Sequence, residues 1–218
     1  MKLYGYWRSS SSWRVRVALA LKGLEYEHVP VHLLKDGGEQ HRPDHLALNP
    51  AGQVPVLAFE HAGRTVHVSQ SLVIMDYLDA THPEPPLWPR DLWKRTKARE
   101  CAEICNSGMQ PFHNLSTLIE IERLGGTRVE WAQHFLPRGL RALESIVEAY
   151  GGRYCIGDEV TGADVCLAPQ LFAVRRFDVD LAPYPHLVRV DAALAEHPAF
   201  QAALPERQPD APEPSRWA

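Results

Sequence analysis

The chain has 218 residues, a formal net charge of −4 and 45 % hydrophobic residues. That length fits one or two domains with ordinary cores, and the acidic balance argues against a basic nucleic-acid-binding face. No apolar run approaches the ~20 residues that span a bilayer, and the N-terminal MKLYGYWRSS lacks the apolar stretch of a signal peptide. A cytoplasmic protein with no membrane or nucleic-acid partner is expected, and its four cysteines should be reduced. Cys101 and Cys105 stand one helical turn apart. No further Cys or His at ligand spacing joins them, so the thiols read as packing and no metal site is expected.

The first ~80 residues alternate strand-like and helix-like runs. Residues 2–7, KLYGYW, read as a strand. Four serines follow, Ser9 to Ser12, then a helix with Trp13, Val17, Ala20 and Leu21 on one face and Gly23 as its stop signal. One serine suffices as a cap. Four at a helix N-terminus, where amides and the positive dipole end favour an anion, point to a further use for some of the hydroxyls. Residues 26–33 predict a second strand, and residues 35–53 a loop with a short helical piece. VPVLAFE and RTVHVS predict a hairpin around residues 61–63. Residues 70–83 predict a helix with Ile74, Tyr77 and Leu78 on one face. The order is βαβ-α-ββα, a mixed sheet with helices on both faces.

Residues 81–91 hold four prolines and read as a stiff linker. Beyond it the strand signals nearly vanish. Residues 92–110, 131–150, 161–177 and 187–198 read as helices, with Leu140, Leu143, Val147 and Tyr150 in register along the second. The third opens on Thr161-Gly-Ala-Asp164, a capping box. Pro198 stops the last, and the Pro-rich tail from Arg207 reads as loosely ordered. The expected division is an α/β domain over residues 1–82, a linker over 83–91 and an all-helical domain over 92–218.

The motifs SSSSWRVRVALALKG, LKDGGEQ, ALNPAGQVPVL, SQSLVIMDYL, MQPFHNLS, YCIGDEVTGADVCLAPQ and RRFDVDLAPYPHL run in order from Ser9 to Leu187. Together they resemble the zeta class of cytosolic glutathione transferases, the maleylacetoacetate isomerases, over nearly the whole chain. The resemblance implies a thioredoxin-like N-terminal domain, an all-α C-terminal domain, a homodimer and glutathione as cofactor. It implies cis–trans isomerisation of a small diketo dicarboxylic acid, maleylacetoacetate, to fumarylacetoacetate in tyrosine, phenylalanine or homogentisate catabolism. The route would be thiolate addition, bond rotation and elimination.

The resemblance also assigns residues. Ser9 matches the serine that stabilises the glutathione thiolate, with Ser10 and Ser11 lining the same pocket, while Ser12 reads as a cap. An ordinary thiol, with pKa ~8.5, is only about 3 % ionised at neutral pH, and lowering it by ~2 units takes about 2.7 kcal/mol. Ser11 stands where relatives commonly carry Cys, so side chemistry through that thiol, such as dehalogenation, is put in question. Pro55 lacks the amide a central strand would use; in thioredoxin-like folds this proline is cis and turns the Val54 backbone toward the cysteinyl part of glutathione. Gln70 and Ser71 begin a helix whose amides can receive the γ-glutamyl carboxylate. Gln40 matches a position near the glycyl end. Gln110, Asn114 and Ser116 match positions facing glutathione, with Pro111 kinking the helix there and His113 structural. Arg176 matches the arginine for the substrate carboxylate, which a guanidinium holds bidentately. Arg8 assists it or joins a surface salt bridge, and Arg175 is solvated.

Other readings differ at specific positions. Maleylpyruvate isomerases carry basic residues just after the Asn of the HN segment, where this chain has Leu115 and Ser116. A general conjugating transferase needs only a thiolate and an open apolar pocket. A thioredoxin-like redox enzyme needs a cysteine at the first helix, and the first cysteine here is Cys101. A silent glutathione-binding protein should have lost Ser9, Pro55, Gln70, Ser71 and Arg176, which are all present.

Overall fold

The computed structural model describes residues 1–212. The chain divides into two units: Met1–Pro85 together with the segment that begins at Pro198, and Pro86–His197. Among the described residues no helix is long and apolar enough to cross a membrane.

The first unit runs β1 (Lys2–Gly5), α1 (Ser10–Leu21), β2 (Glu27–Pro30), α2 (Pro43–Leu48), β3 (Val56–His61), β4 (Arg64–Ser69) and α3 (Ser71–Thr81). The sheet order is β2-β1-β3-β4, with β1 parallel to β2 and antiparallel to β3, and β4 antiparallel to β3. The register puts Leu3, His28, Leu57 and Val68 on one face and Tyr4, Val29 and Val56 on the other. The hairpin turns on Ala62 and Gly63, whose φ values of 51° and 76° suit a turn that follows the strand twist.

Helix α1 departs from the single apolar face its sequence suggests. Ser12 to Leu19 is buried without a break, while Ala20 and Leu21 are only half-buried. The reason is packing on more than one side, since both α3 and α9 (Pro198–Ala202) contact it. The helix ends as predicted: Gly23, at φ 63°, donates to Ala20 O at 3.1 Å and Leu24 N to Leu19 O at 3.0 Å.

The C-terminal segment groups with Met1–Pro85. From Pro198 the chain belongs with the N-terminal unit rather than with the helical one. Ala199 and Phe200 are buried there. The expected loose tail is also held: the Gln208 amide donates to Ala202 O at 3.3 Å and Leu204 O at 2.8 Å. Prolines obscure any periodicity in this stretch, so its sequence does not display the surface it meets. Residues 213–218 of that tail lie outside the described residues.

The second unit holds α4 (Leu92–Glu103), α5 (Leu115–Arg123), α6 (Arg128–Tyr150), α7 (Gly162–Arg175) and α8 (Pro185–Ala195). The helix expected through residue 110 stops at Glu103, widens into a π turn over Ile104–Met109 and tightens to a 3-10 turn over Gln110–His113. The change comes where Pro111 cannot donate a backbone bond. Leu140, Leu143 and Val147 are buried, but Tyr150 is 38 % exposed, beside Trp93 and Lys97. Leu87 and Trp88, expected in the linker, are buried, and Leu87 O accepts from Gly162 N at 2.7 Å.

The start of α7 has the predicted box. Asp164, fully buried, accepts from Thr161 N at 2.8 Å, Thr161 Oγ1 at 2.9 Å and Cys155 N at 2.8 Å. Burial pushes its carboxyl up, and these bonds oppose the rise. Asp164→Ala leaves two buried amides unpaired and should cost about 3 kcal/mol. Chemical denaturation checks this; a loss below about 1 kcal/mol would show that the box is dispensable.

Candidate active site

The four serines divide their work. Ser9 is the N-cap of α1, with φ −68° and ψ 120°, and its Oγ accepts from Ser12 N at 3.2 Å. A hydroxyl carries one proton and two lone pairs. Capping uses a lone pair, so it does not compete with donation of the proton to an anion. Ser12 is fully buried and its Oγ accepts from Tyr6 N at 3.4 Å, tying the end of β1 to the helix. Ser10 and Ser11 lie half-buried in the first turn.

Two buried arginines on α1 support the starts of α1 and α3, and neither has a role by local sequence rules. Arg16, 1 % exposed, donates to Tyr6 O at 3.4 Å, Trp7 O at 2.9 Å and Ala203 O at 3.2 Å. Burial lowers its pKa to about 10, against the opposing pull of Tyr26 and Asp210, so it stays a cation at neutral pH. Arg14, fully buried, donates from Nη1 to Ser71 Oγ at 3.3 Å. The signal was there to find: two charges inside the otherwise apolar run WRVRVALAL.

Ser71 is the first residue of α3 and is buried. Gln70 before it holds φ 72° and ψ 113° and makes no side-chain cap bond. Such a conformation in a non-glycine residue costs of order 1–3 kcal/mol and collects at ligand sites. The helix N-terminus, the Ser71 hydroxyl and the Arg14 charge behind it bring together free amides, a hydroxyl and positive charge, a combination that favours an anion.

The Val54–Pro55 bond is cis. Val54 stands two residues ahead of Val56, which pairs with both Tyr4 and Ser69. The Gln53 carbonyl accepts from His45 Nε2 at 3.0 Å and from Asn49 Nδ2 at 2.9 Å, so α2 and the residue after it fix this loop. Neither residue was singled out from sequence. Gln40 is buried; its Nε2 donates to Leu33 O at 3.4 Å, and its Oε1 has no partner among the described residues. A buried acceptor in that state costs about 1–3 kcal/mol, which a ligand donor would recover.

Arg8 is half-buried, its guanidinium 5.3 Å from the Trp7 ring centre. In the helical unit Gln110 opens the 3-10 turn, Asn114 is the N-cap of α5 without a side-chain cap bond, and Ser116 is exposed in its first turn. The His113 ring nitrogen Nε2 lies 3.0 Å from the buried Gln170 amide nitrogen. Arg176 is the exposed C-cap of α7, with its guanidinium 5.8 Å from the Phe177 ring centre. Arg175 is not simply solvated, since it pairs with Asp191 at 2.6 Å.

Models of the glutathione S-transferase N-terminal domain and C-terminal domain match residues 1–80 and 125–207. The chain is 49 % identical to probable maleylacetoacetate isomerase 2 of Drosophila melanogaster, over 96 % of this chain and 90 % of that one. It resembles the crystal structure of maleylacetoacetate isomerase from Anaeromyxobacter dehalogenans with glutathione bound in the active site, at 52 % identity, a TM-score of 0.88 and 97 % of each chain. Another structure of that protein holds dicarboxyethyl glutathione and citrate in the active site. The holo structure of a maleyl pyruvate isomerase, a bacterial zeta-class glutathione S-transferase, matches at 38 % identity and a TM-score of 0.90, over 97 % of this chain and 100 % of that one.

None of the cysteines approaches a catalytic thiol. All four are buried, and burial pushes Cys101 up to about 12 and Cys155 upward as well. A chromogenic disulfide reagent should therefore titrate four thiols in denaturant and none rapidly in the folded chain. One fast-reacting thiol in the folded chain would contradict this burial.

Proposed function

The chain belongs to the zeta-class glutathione S-transferases, the maleylacetoacetate isomerases, and from that premise we infer that it converts maleylacetoacetate to fumarylacetoacetate with glutathione as cofactor. The observation that carries the reading is Ser9: a cap hydroxyl at the N-terminus of α1 whose acceptor side is used and whose proton can serve a sulfur anion.

The residues present suit glutathione along its length. Ser71, backed by Arg14, takes the γ-glutamyl carboxylate with the amides of α3. The Val54 backbone beside cis Pro55 pairs with the cysteinyl part. Gln40 offers its orphaned Oε1 near the glycyl end. Gln70 adds a polar contact, and Gln110, Asn114 and Ser116 of the helical unit match positions that face glutathione in the family. When bound, glutathione supplies the thiolate that adds to the cis double bond and departs after rotation. Ser9 holds that sulfur ionised, with Ser10 and Ser11 beside it and the positive end of α1 adding to the field. Arg176 takes the substrate carboxylate and Arg8 offers a second cation. Ser11 in place of cysteine leaves this chemistry intact, because no step assigned to the chain requires a protein thiol. Cytoplasmic location and a two-fold homodimer are part of the same reading and rest on the family.

The adduct-like dicarboxyethyl glutathione in the Anaeromyxobacter relative supports addition across a double bond. The maleyl pyruvate isomerase neighbour makes maleylpyruvate the alternative substrate, against which stand Leu115 and Ser116. Turnover of both acids with and without glutathione, coupled to hydrolysis of the product, decides between them. Strict glutathione dependence with maleylacetoacetate preferred is expected; preference for maleylpyruvate would overturn the assignment. Ser9→Ala should lower kcat about a hundredfold with a much smaller loss of glutathione affinity, and unchanged turnover would remove Ser9 from the chemistry. Arg176→Ala should raise KM for the acid about tenfold or more while largely sparing kcat; an unaltered KM would place the carboxylate elsewhere.

A further inference from the structure

The turn between β1 and α1 carries Ser9, and its backbone is held from both sides by groups remote in sequence. Trp7 O accepts from Arg16 Nη2 at 2.9 Å, and Trp7 N donates to Asp210 Oδ2 at 2.9 Å, a bond spanning 203 residues. Ser9 N donates to Tyr6 O at 3.0 Å, so the cap follows wherever Tyr6 and Trp7 are placed. The other carboxylate oxygen, Asp210 Oδ1, lies 2.9 Å from His28 Nε2, on the sheet face that Leu3 shares. Both side chains are nearly enclosed, at 7 % exposure for His28 and 9 % for Asp210. Arg16 reaches the same C-terminal segment through Ala203 O at 3.2 Å.

We propose that Asp210, oriented by His28, is a positioning residue for the isomerisation: through Trp7 N–H the C-terminal segment sets where the Ser9 hydroxyl stands. The inference rests on the role given to Ser9 above. A carboxylate suits the task because it accepts two donors at once, one from the sheet and one from the turn. Burial alone would raise the Asp210 carboxyl, but the bonds from His28 and Trp7 N outweigh it and hold the group below the ordinary carboxylate range, ionised at neutral pH. A purely structural strap would tie anywhere on the unit; this one ends on the residue two before the cap.

The test uses the full chain with Asp210→Ala, Asp210→Asn, His28→Leu and His28→Gln. Amide hydrogen exchange of the glutathione-free protein is the first readout. Asp210→Ala should speed exchange in the peptide containing Trp7 and leave the β3–β4 hairpin unchanged. In turnover it should lower kcat about tenfold while KM for the acid stays within about twofold. Asp210→Asn keeps an acceptor for Trp7 N and His28→Gln keeps a donor for Asp210, so each should lie within about threefold of the unaltered chain. His28→Leu should fall between these and Asp210→Ala, and it carries the test if Asp210→Ala does not fold. Full kcat in Asp210→Ala, or exchange raised evenly across the unit with Asp210→Asn equally impaired, would overturn the proposal. If the unaltered chain isomerises neither acid, the functional reading falls, while the exchange pattern still decides whether Asp210 places the turn.

Discussion

The Arg16 guanidinium donates to Tyr6 O, Trp7 O and Ala203 O from a site that is 1 % exposed. Burying a cation costs several kcal/mol unless its donors are used and counter-charge lies near. Here the donors meet backbone carbonyls, and the Asp210 carboxylate provides the opposing charge. An apolar residue at position 16 would leave those carbonyls to find other partners. The cation therefore joins β1, α1 and the C-terminal segment around the turn that holds Ser9.

One helix supports two helix N-termini in this arrangement. Arg14 and Arg16 are two residues apart, about 200° around α1. One reaches Ser71 at the start of α3, the other the turn at the start of α1. Each thus backs a helix N-terminus, and each N-terminus is assigned an anion: the γ-glutamyl carboxylate at α3 and the sulfur at α1. The two termini differ in cap. Ser9 caps α1 with its own side chain, whereas Gln70 makes no side-chain cap bond and holds a strained backbone at α3. Strain of that kind persists only where the surroundings or a ligand over-determine it.

Local rules made much of the fold readable. The hairpin, the Gly23 stop and the Thr161–Asp164 box each follow from residues within a few positions of one another. What escaped was set by distant packing. Helix α1 shows an apolar stripe in sequence but is enclosed because α3 and α9 both pack on it. The segment from Pro198 looks like a stop and a loose tail, because prolines hide periodicity and nothing local announces that Asp210 meets Trp7. The same limit governs the site. Ser9, Gln70 and Ser71 stand out by position at helix starts and by family motif. Arg14 and Asp210, which reach Ser71 and the turn before Ser9, act across the fold: Arg14 shows only as a charge inside an apolar run, and Asp210 leaves no local pattern.

On the proposed function, this fixed turn presents the Ser9 hydroxyl to the glutathione sulfur and keeps that sulfur ionised. The most direct measurement is a pH titration of the ultraviolet thiolate absorbance of glutathione bound to the unaltered protein. The midpoint should lie about 2 units below the ~8.5 of an ordinary thiol. A midpoint at the ordinary value would contradict that role of Ser9.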